Sequence, residues 1–597
     1  MNSNKCLRFL RPCFCESAPA NKAAYTRFFA VYHTSGRGHY SCVDLKVSVP
    51  YGRNIHTSTA RKSSSAPSDT SQNEPATSTT RSVTVEGRVQ KLKGYDALRY
   101  PRLSSRANRM TIPNFREKYR DEASTPASDE VVLEGRVMSI RRVGSKLVFL
   151  HVLGGYQKVQ IMVDLGGLFS PQPTVQEFKD ALHPFRRGDI ISVVGKAIRT
   201  RAGELSLSAT ELPKILSPGL APLPEKLINE ETIVLNRHVD LLVNRRTSDV
   251  LRLRSHIIKS FRDFFHEKDF LEVQTPILAD KAGGATARPF LTSATEFLHK
   301  ELALRIAPEL WLKRLVVGGN DKVFEIGPAF RNEGLDTTHN PEFTMCEFYS
   351  AYTNLSGLIS ITEHLITRLV QSVDSIIQTQ LQSLQRPKAT LLEGQWKQVE
   401  FVPALEEILG FRFPDLSEPD ALSKLTNLLH EQDKFKVTPG LALNRLLDQL
   451  AVTYLEPFSL ERPLFITHQP ACMSPLSKSF TCPKTGQLVS ARAELFIEGR
   501  EIANMYEEEN DPFEQRRKFE LQLKARDNGS TIDEELPAEI DESYIHALEH
   551  GLPPTGGWGC GIDRLAMLLS GVPRISDTLS FGSLRNVVSL SQAAKDE

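Results

Sequence analysis

The sequence predicts an α+β protein in which a small β-barrel precedes a larger domain of helices and strands. Residues 131–212 contain short stretches of alternating apolar and polar residues broken by glycine, which is typical of short strands. Beyond Pro222-Leu223-Pro224, helical stripes alternate with strands to the end of the chain. The 597 residues, 40% of them hydrophobic, suffice for two or three domains. No apolar run reaches the roughly 18 residues of a membrane span, so we expect no membrane contact.

The amino-terminal segment, residues 1–62, differs in charge from the rest of the chain. It contains ten Lys and Arg residues but only Glu16 and Asp44 as acids, and it is rich in Ser. This composition, with an amphipathic piece at 8–11, is typical of a mitochondrial transit peptide, and residues 53–58 resemble its two-step cleavage signal. We therefore predict import into the mitochondrial matrix. The alternative is a disordered basic tail.

Residues 63–99 are predicted to be a flexible linker, because their first part, 63–82, is rich in Ser, Thr, Ala and Pro. The eight cysteines of the chain form no CxxC pair and have no histidine at zinc-ligand spacing. We therefore expect free thiols and no structural zinc.

Five strands are predicted over 131–142, 147–153, 158–164, 189–199 and 204–211, which fits an OB-fold barrel over 100–225. Strand alternation places Phe149 on the face opposite the apolar side chains, and Gln160 on the same outer face. A ring and an amide on such a surface, near Arg142, suit stacking and recognition of unpaired bases. An exposed phenylalanine is also common without any ligand, so both interpretations stay open at this point.

The large domain begins with a predicted helix over 248–268, whose apolar residues form one stripe, followed by a short strand that ends at Pro276. Residues 323–333 and 342–349 then predict two antiparallel strands joined by a loop. Alternation puts Phe343, Glu347 and Tyr349 on one face of the second strand. A ring there can stack on a base, and a carboxylate with a phenol can accept a buried primary ammonium.

Two further segments complete the pattern of the large domain. Residues 494–511 predict a hairpin that turns at Glu498-Gly499-Arg500, followed by a helix with Asp511 as N-cap, Pro512 at the first position and Glu514 completing a capping box. Residues 556–564 are rich in glycine and lead into a helix that begins near Arg564, where a backbone can approach a nucleotide closely.

In this order, these segments resemble motifs 1, 2 and 3 of the class II aminoacyl-tRNA synthetases. The resemblance runs from about Tyr100 to Arg585 and weakens over 380–455, where only a helical insertion such as 421–431 is recognisable. Aspartyl and asparaginyl enzymes share the barrel and the motifs, but segments 223–226, 283–290, 304–313 and 474–476 look like the lysyl family in its mitochondrial form. One departure is Phe581-Gly582, where the family usually has Phe-Pro.

The resemblance implies a set of site residues, all present in this sequence. Those expected to bind lysine are Gly283, Glu309, Arg331, Glu347, Tyr349, Asn510 and Gly559. Those expected to bind ATP are Arg331, Glu333, His339, Asn340, Phe343, Glu501, Glu508 and Arg564, with Arg331 and Arg564 as the catalytic residues. Glu501 and Glu508 are expected to bind Mg²⁺. The anticodon is expected to contact Arg142, Phe149, Gln160 and Glu204.

The resemblance also implies the architecture and the activity. An OB-fold anticodon-binding domain would precede a catalytic domain over 235–590, built on an antiparallel sheet flanked by helices. The activity would be the ATP-dependent attachment of lysine to its tRNA through lysyl-adenylate, by a homodimer formed through motif 1. The alternatives are a non-catalytic homologue that binds RNA, an enzyme that transfers lysine-like groups to a protein, and aspartate specificity.

Overall fold

The computed structural model describes residues 78–593 except 104, 106–107, 122–126, 169–171, 282, 285–286, 298, 392–395, 434 and 528–539. The predicted transit peptide, residues 1–62, lies outside this part of the chain, as does residue range 63–77 of the predicted linker. None of the helices within the described residues combines the length and the apolarity needed to cross a membrane. Cys346, Cys472, Cys482 and Cys560 are free thiols, as predicted for them.

The structure differs from the linker predicted over 63–99, because helix α1 (Ser78–Gly94) occupies much of it. Arg88 of this helix is buried, and its Nη2 lies 3.0 Å from Asp189 Oδ2. Its Nη1 also donates a hydrogen bond of 2.7 Å to the Pro184 carbonyl. The composition indicated flexibility, but a paired buried charge fixes the helix against the barrel.

The barrel begins after a short strand, β1 (Arg109–Met110), and a helix, α2 (Ile112–Lys118), that Thr111 caps. Its further elements are β2 (Glu130–Val143), β3 (Leu147–Gly154), β4 (Gln157–Asp164), α3 (Val175–Leu182), β5 (Ile190–Arg199), β6 (Leu205–Ala209) and β7 (Lys214–Ser217). β2 pairs with both β3 and β5, β3 pairs with β4, and β6 pairs with both β4 and β5. These five strands therefore form a closed barrel. The predicted OB-fold is therefore confirmed.

The interior of the barrel follows the predicted alternation. Val148, Leu150 and Val152 of β3 are buried, and Val159 and Ile161 of β4 are buried beside them. Each buried position alternates with a residue that points outward, because successive side chains leave opposite faces of a strand. The outer face is thereby available for a ligand.

The first half of the large domain contains α4 (Glu230–Leu235), α5 (Arg237–Val243), α6 (Arg245–His266), β8 (Leu271–Glu272), β9 (Leu278–Ala279), β10 (Leu291–Ser293), β11 (Glu301–Leu304), α7 (Glu309–Val317), β12 (Lys322–Phe330), β13 (Glu342–Ala351) and α8 (Leu355–Thr379). The segment between residues 380 and 455 contains β14 (Lys397–Glu400), α9 (Phe401–Leu409), α10 (Ala421–Glu431) and α11 (Leu443–Tyr454). The last part contains β15 (Leu464–Thr467), β16 (Ser479–Thr481), β17 (Leu488–Ser490), β18 (Arg492–Ile497), β19 (Arg500–Glu507), α12 (Pro512–Asp527), α13 (Glu542–Leu548), β20 (Thr555–Gly561), α14 (Ile562–Ser570) and α15 (Leu584–Ala593).

An eight-stranded sheet in the order β14-β15-β18-β19-β20-β13-β12-β8 organises this domain. Its six central strands are antiparallel, whereas the edge strands β8 and β14 pair in parallel with their neighbours. The apolar stripe predicted for the first long helix, α6, is buried against the sheet together with α8 and α14. Phe348 of β13 and Trp558 of β20 stack there, with ring centroids 5.2 Å apart. This packing fixes the two central strands relative to each other.

Helices α9, α10 and α11 of the segment between residues 380 and 455 pack around a hydrophobic cluster that they share with β15 and β18 of the central sheet. The helix recognised at 421–431 is α10 with the same bounds. Strand β14 was not predicted, and it extends the central sheet at one edge. A four-residue strand carries too short an alternation to be recognised in sequence.

The hairpin predicted to turn at Glu498-Gly499-Arg500 is formed by β18 and β19, and Glu498 and Gly499 have φ of 52° and 71°. Asp511 caps α12 as predicted, because its Oδ1 accepts hydrogen bonds from the backbone of Phe513 and Glu514. The predicted capping box is incomplete. The Glu514 carboxylate pairs instead with Arg517 on the next turn of the helix.

Candidate active site

A cavity of about 740 Å³ lies over one face of the central sheet. Strands β13, β19 and β20 form its floor, and the start of α7 and the loop between β12 and β13 form its walls. Of the residues predicted to bind lysine or ATP, those that line the cavity are Gly283, Glu309, Arg331, Glu333, His339, Asn340, Phe343, Glu347, Tyr349, Glu501, Gly559 and Arg564. Sequence positions almost 300 residues apart therefore meet at one site.

The floor contains the three residues predicted to share a face of β13, namely Phe343, Glu347 and Tyr349. The guanidinium carbon of Arg331 lies 5.2 Å from the centroid of the Phe343 ring, and Arg331 Nε donates to the Ile306 carbonyl at 3.4 Å. A guanidinium and an aromatic ring thus lie side by side at the end of the hairpin. This pair suits a ligand that combines a phosphate with a planar base.

Glu347 is an acid without a cationic partner. It is 4% exposed, and its Oε2 accepts a hydrogen bond of 3.1 Å from the Tyr349 hydroxyl. Burial raises the pKa of Glu347 to about 8, and the nearby Glu309 carboxylate adds to the rise. Among the described residues no Lys, Arg or His nitrogen lies within 4.0 Å of its carboxylate, so the site favours a ligand that brings positive charge.

Glu309, at the start of α7, is the second buried acid of the cavity, and it has partners. Its Oε1 accepts hydrogen bonds from Lys313 Nζ at 2.5 Å and from the Tyr506 hydroxyl at 2.7 Å. Lys313 has no exposed surface and also forms an ion pair with Glu508. Burial alone would lower the pKa of Lys313, but the charges of Glu309 and Glu508 hold it well above its usual value.

The structure separates the two glutamates predicted to bind magnesium. Glu501 lines the cavity, and its Oε2 lies 3.2 Å from Arg564 Nη1. Glu508 is buried, is not among the lining residues and is paired with Lys313. Glu501 therefore fits a site for a hard cation, whereas Glu508 does not in this arrangement. Over the described stretches of chain, no group of three or more His, Cys, Asp or Glu side chains is arranged to hold a metal.

Arg564, at the start of α14, connects two walls of the cavity. Its Nη2 donates to His339 Nε2 at 2.8 Å, and His339 Nδ1 in turn lies 2.7 Å from Asp336 Oδ2. Burial alone would raise the pKa of Asp336, but hydrogen bonds from Thr338 and His339 lower it to about 2. Arg564 and His339, both predicted to bind ATP, are thus already in contact at the cavity.

Asp563, directly before Arg564, joins all three motifs. It is 1% exposed, and its two oxygens accept hydrogen bonds from Arg254 Nε of α6 at 2.8 Å and from the Thr344 backbone of β13 at 2.7 Å. Arg254 Nη2 also donates to Thr344 Oγ1 at 2.7 Å. One carboxylate therefore fixes the start of α14 against the strand that carries Phe343.

Asn510, Gly283 and Gly559 differ in how they relate to the cavity. Asn510 does not line the cavity, because its side chain accepts from Lys478 Nζ at 2.5 Å and donates to the Leu552 carbonyl at 3.1 Å. Gly283 lines the cavity, and a Cβ there would lie 2.5 Å from Leu310 Cδ1, so a larger residue would require the Leu310 side chain to move. A Cβ at Gly559 would lie 3.6 Å from Glu347 Cγ, an ordinary contact, so packing does not demand glycine there.

The barrel has its own candidate surface, the outer face that carries Phe149, Gln160 and Glu204. Gln160 Nε2 donates a hydrogen bond to Glu204 Oε2. The guanidinium that covers the Phe149 ring belongs to Arg141, at 4.7 Å from the centroid. Arg142, the predicted residue, donates instead to the Leu182 carbonyl at 3.1 Å. This surface thus contains three of the four residues predicted to contact the anticodon. Arg141, which was not predicted, takes the place of Arg142 beside Phe149.

Sequence analysis missed three residues that shape the cavity, namely Lys313, Tyr506 and Asp563. The signal for Lys313 was its position four residues after Glu309, a spacing that places both side chains on one face of a helix. The signal for Tyr506 was its alternation with Asn504, another lining residue of β19. Asp563 gave no signal, because its partners come from distant motifs.

The family description "tRNA synthetases class II (D, K and N)" matches residues 229–585, and "OB-fold nucleic acid binding domain" matches residues 131–215. The chain is 43% identical over 493 residues to the mitochondrial lysine–tRNA ligase of Schizosaccharomyces pombe, covering 82% of this chain and 91% of that protein. It is 36% identical to the mitochondrial lysine–tRNA ligase of Saccharomyces cerevisiae, covering 80% and 87%. It is 38% identical to the lysine–tRNA ligase of Listeria monocytogenes, covering 79% and 90%.

These matches cover the barrel, the three motifs and the residues that line the cavity. The match over 229–585 spans more than half of the chain, and the relatives align over most of their own length. The resemblance noted from the sequence is thereby confirmed, and this chain belongs to the class II tRNA synthetases, in the lysine–tRNA ligase family.

Proposed function

We propose that this chain attaches lysine to its cognate tRNA in the mitochondrial matrix, using ATP. The observation that carries the proposal is Glu347, a buried carboxylate at the cavity with the Tyr349 hydroxyl beside it and no cation in ion-pair range among the described residues. A buried anion is costly unless a cation joins it. The ε-ammonium of lysine supplies that cation, whereas the aspartate side chain would add a second negative charge.

The reaction has two steps. In the first step, a carboxylate oxygen of lysine attacks the α-phosphorus of ATP, and the bond to pyrophosphate breaks, giving lysyl-adenylate. In the second step, the 3′-hydroxyl of the terminal ribose attacks the carbonyl carbon, an ester forms, AMP leaves and the hydroxyl proton passes to solvent. No side chain needs to act as an acid or a base.

The protein contributes position and charge to both steps. Arg331 would bridge the lysine carboxylate and the α-phosphate, while its neighbour Phe343 stacks on adenine. Arg564 and His339 would hold the outer phosphates. Magnesium, bound at the cavity by Glu501 together with the phosphates, would supply further positive charge to the nucleotide.

The barrel would recognise the anticodon of the tRNA, with the central uridine at the outer face. Phe149 offers a stacking surface covered by Arg141, and the amide of Gln160 is oriented by Glu204. Stacking combined with an oriented amide suits an unpaired base. The OB-fold match over 131–215 supports a nucleic-acid ligand for this surface.

The chain would act as a homodimer. Leu271 lies in β8, the strand that follows α6, and Leu278 and Leu291 lie in β9 and β10; each of the three residues is about half exposed. Exposed apolar side chains gain stability when a partner covers them, and a second copy is the partner that motif 1 of the family implies. Light scattering should give a mass near twice that of one 66.8 kDa chain, less any cleaved segment. A concentration-independent monomer would contradict this part of the proposal.

Lysine-dependent exchange of pyrophosphate into ATP tests the activity. Across twenty amino acids, only lysine should support rapid exchange by the folded protein, and tRNA should not be needed. Exchange with aspartate, or with no amino acid, would contradict the proposal. For the location, residues 1–62 fused to a reporter should direct it into mitochondria, and a cytosolic reporter would contradict import.

A further inference from the structure

A line of three buried charged side chains lies beside the lysine cavity, and the proposed reaction steps do not use it. It is formed by Glu309, Lys313 and Glu508, and we refer to it as the buried triad. Lys313 lies at its centre, one helical turn after Glu309, and has no exposed surface. A buried ammonium is strongly unfavourable unless anions and acceptors surround it. In this arrangement one oxygen of Glu309, Oε1, is occupied by the contact with Lys313.

The surroundings of Lys313 add to this constraint. The rings of Tyr349, Tyr506 and Tyr544 have their centroids 5.9, 5.7 and 5.9 Å from Lys313 Nζ. Three aromatic faces around an ammonium hold it in place by cation–π attraction. Tyr506 also donates its hydroxyl to the same Glu309 oxygen that Lys313 contacts. The rings and the Glu309 carboxylate therefore both favour the position that the ammonium occupies.

The two oxygens of Glu309 are consequently unequal. Oε1 accepts from both Lys313 and Tyr506. Oε2 accepts no hydrogen bond from any residue that the structure describes, and Glu309 lines the cavity. A carboxylate held by one oxygen offers the other in a fixed direction, so a ligand ammonium does not have to order it on binding.

We propose that Lys313 is a positioning residue that orients Glu309 toward the α-ammonium of the substrate, so that the buried triad selects ligands with an α-amino group. This inference rests on the proposed function, because it assumes that lysine occupies the cavity. In this arrangement Glu508 serves the amino-acid site through Lys313. Glu347 recognises the other end of the same ligand, with the Tyr349 hydroxyl beside it and, among the described residues, no cation in ion-pair range.

Two lysine analogues separate the two ends of the pocket. The first, 6-aminohexanoic acid, keeps the ε-amino group and lacks the α-amino group, whereas norleucine keeps the α-amino group and lacks the ε-amino group. Inhibition constants for both, and KM for lysine, are measured by pyrophosphate exchange with the full-length chain. The variants are Lys313→Met, which keeps the length of the side chain, and Glu347→Gln as the matched control at the other end.

Lys313→Met should weaken lysine and norleucine by about tenfold or more, the loss expected for one charge-assisted hydrogen bond, and change 6-aminohexanoic acid by less than about twofold. Glu347→Gln should weaken lysine and 6-aminohexanoic acid and leave norleucine nearly unchanged, because norleucine has no ε-amino group to contact Glu347. Equal weakening of both analogues by Lys313→Met would overturn the inference and indicate a structural role. A wild-type chain that does not activate lysine would instead refute the proposed function.

Tyr506→Phe covers the case in which Lys313→Met fails to fold. It removes the second donor to Glu309 Oε1 without leaving a buried charge unpaired. It should weaken lysine and norleucine by about threefold to tenfold, the effect of one neutral hydrogen bond, with 6-aminohexanoic acid unchanged. Loss of 6-aminohexanoic acid binding to the same extent would overturn the inference.

Discussion

The cavity of the catalytic domain and the outer face of the barrel use similar side chains in opposite surroundings. In the cavity, Glu347 and Glu309 are buried, and their neighbours decide their charge and direction. On the barrel, Glu204 is half exposed and accepts a hydrogen bond from the amide of Gln160, which is itself buried. Because burial magnifies electrostatic interactions, we expect substitutions in the cavity to have much larger effects than comparable substitutions on the barrel.

The largest effect is expected from Glu347→Gln. The variant keeps the shape of the side chain but leaves the ε-ammonium of bound lysine without an anion. Removing one partner of a buried pair costs about 3–5 kcal/mol, which corresponds to a loss of kcat/KM for lysine of about a hundredfold to five-thousandfold. Pyrophosphate exchange measures the loss, and a KM for tRNA close to wild type is the control. Nearly normal lysine activation would contradict the expectation that substitutions in the cavity have the larger effects, and it would favour aspartate specificity.

The next largest effect concerns Asp563, which joins the three motifs. Asp563→Ala leaves Arg254 and the Thr344 backbone without their buried acceptor. We expect a loss of about 3 kcal/mol in the free energy of unfolding and a rise in the KM for ATP, because Phe343 and Arg564 flank the two anchored points. Denaturant titration and exchange kinetics measure the two quantities.

Asp563→Asn is the matched control for this variant. Its amide oxygen can still accept from the Thr344 backbone, but it cannot neutralise Arg254. We therefore expect a smaller loss of stability than for alanine, with the KM for ATP between those of alanine and wild type. Equal stability of all three proteins would show that the contact with Arg254 contributes little.

A pH dependence should appear in the cavity and not on the barrel. Glu347 has a pKa of about 8 in the free protein, so it is mostly protonated at pH 7. Bound lysine favours the carboxylate, and binding therefore releases a proton. The KM for lysine should fall by about tenfold per pH unit as the pH rises toward 8 and level off above it, until lysine itself loses its proton near pH 10.

Glu347→Gln provides the control for the pH dependence, because glutamine does not titrate. Its KM for lysine should be high and nearly constant between pH 6.5 and pH 8.5. The KM for tRNA, measured in the same buffers, should not follow the profile of Glu347. A profile that is unchanged in the variant would assign the titration to another group.

On the barrel, Phe149→Ala should raise the KM for tRNA by about tenfold, since stacking of a base on an aromatic ring contributes about 1–3 kcal/mol. Pyrophosphate exchange, which needs no tRNA, should remain at the wild-type rate. No cavity variant should combine a raised KM for tRNA with a normal rate of pyrophosphate exchange. The two assays together therefore distinguish the barrel surface from the cavity. An equal loss in both assays would indicate a damaged fold.

The sequence was sufficient where a pattern is local. Strand alternation predicted the inward residues of β3 and the shared face of Phe343, Glu347 and Tyr349, because side-chain direction along a strand depends only on parity. It was insufficient where partners are distant. The contact of Arg254 with Asp563 joins residues 309 positions apart, and composition could not show that α1 docks on the barrel through Arg88.

The resemblance implied Arg142 at the anticodon surface, but in the structure Arg141 covers the Phe149 ring. The reason is again a contact between strands that are separate in sequence. The pairing of β2 with β3 is irregular between Val137 and Ser139, so one residue of β2 bulges out of the ladder. Beyond such a bulge, the alternation of the strand is inverted. Arg141 is thereby opposite Phe149, and Arg142 is opposite Val148. A bulge leaves no mark in the pattern of apolar residues that sequence analysis uses.

This register leads to the smallest expected effect. Arg141→Ala should raise the KM for tRNA by about threefold to fivefold, because an exposed cation–π pair contributes about 0.5–1 kcal/mol and the uncovered Phe149 ring is then less well held. Arg142→Ala removes the same charge one position along, where the guanidinium contacts the Leu182 carbonyl. Since any long-range attraction for tRNA falls equally in both variants, their difference measures the contact with Phe149. If Arg142→Ala has the larger effect, the bulged register does not describe the tRNA-binding surface.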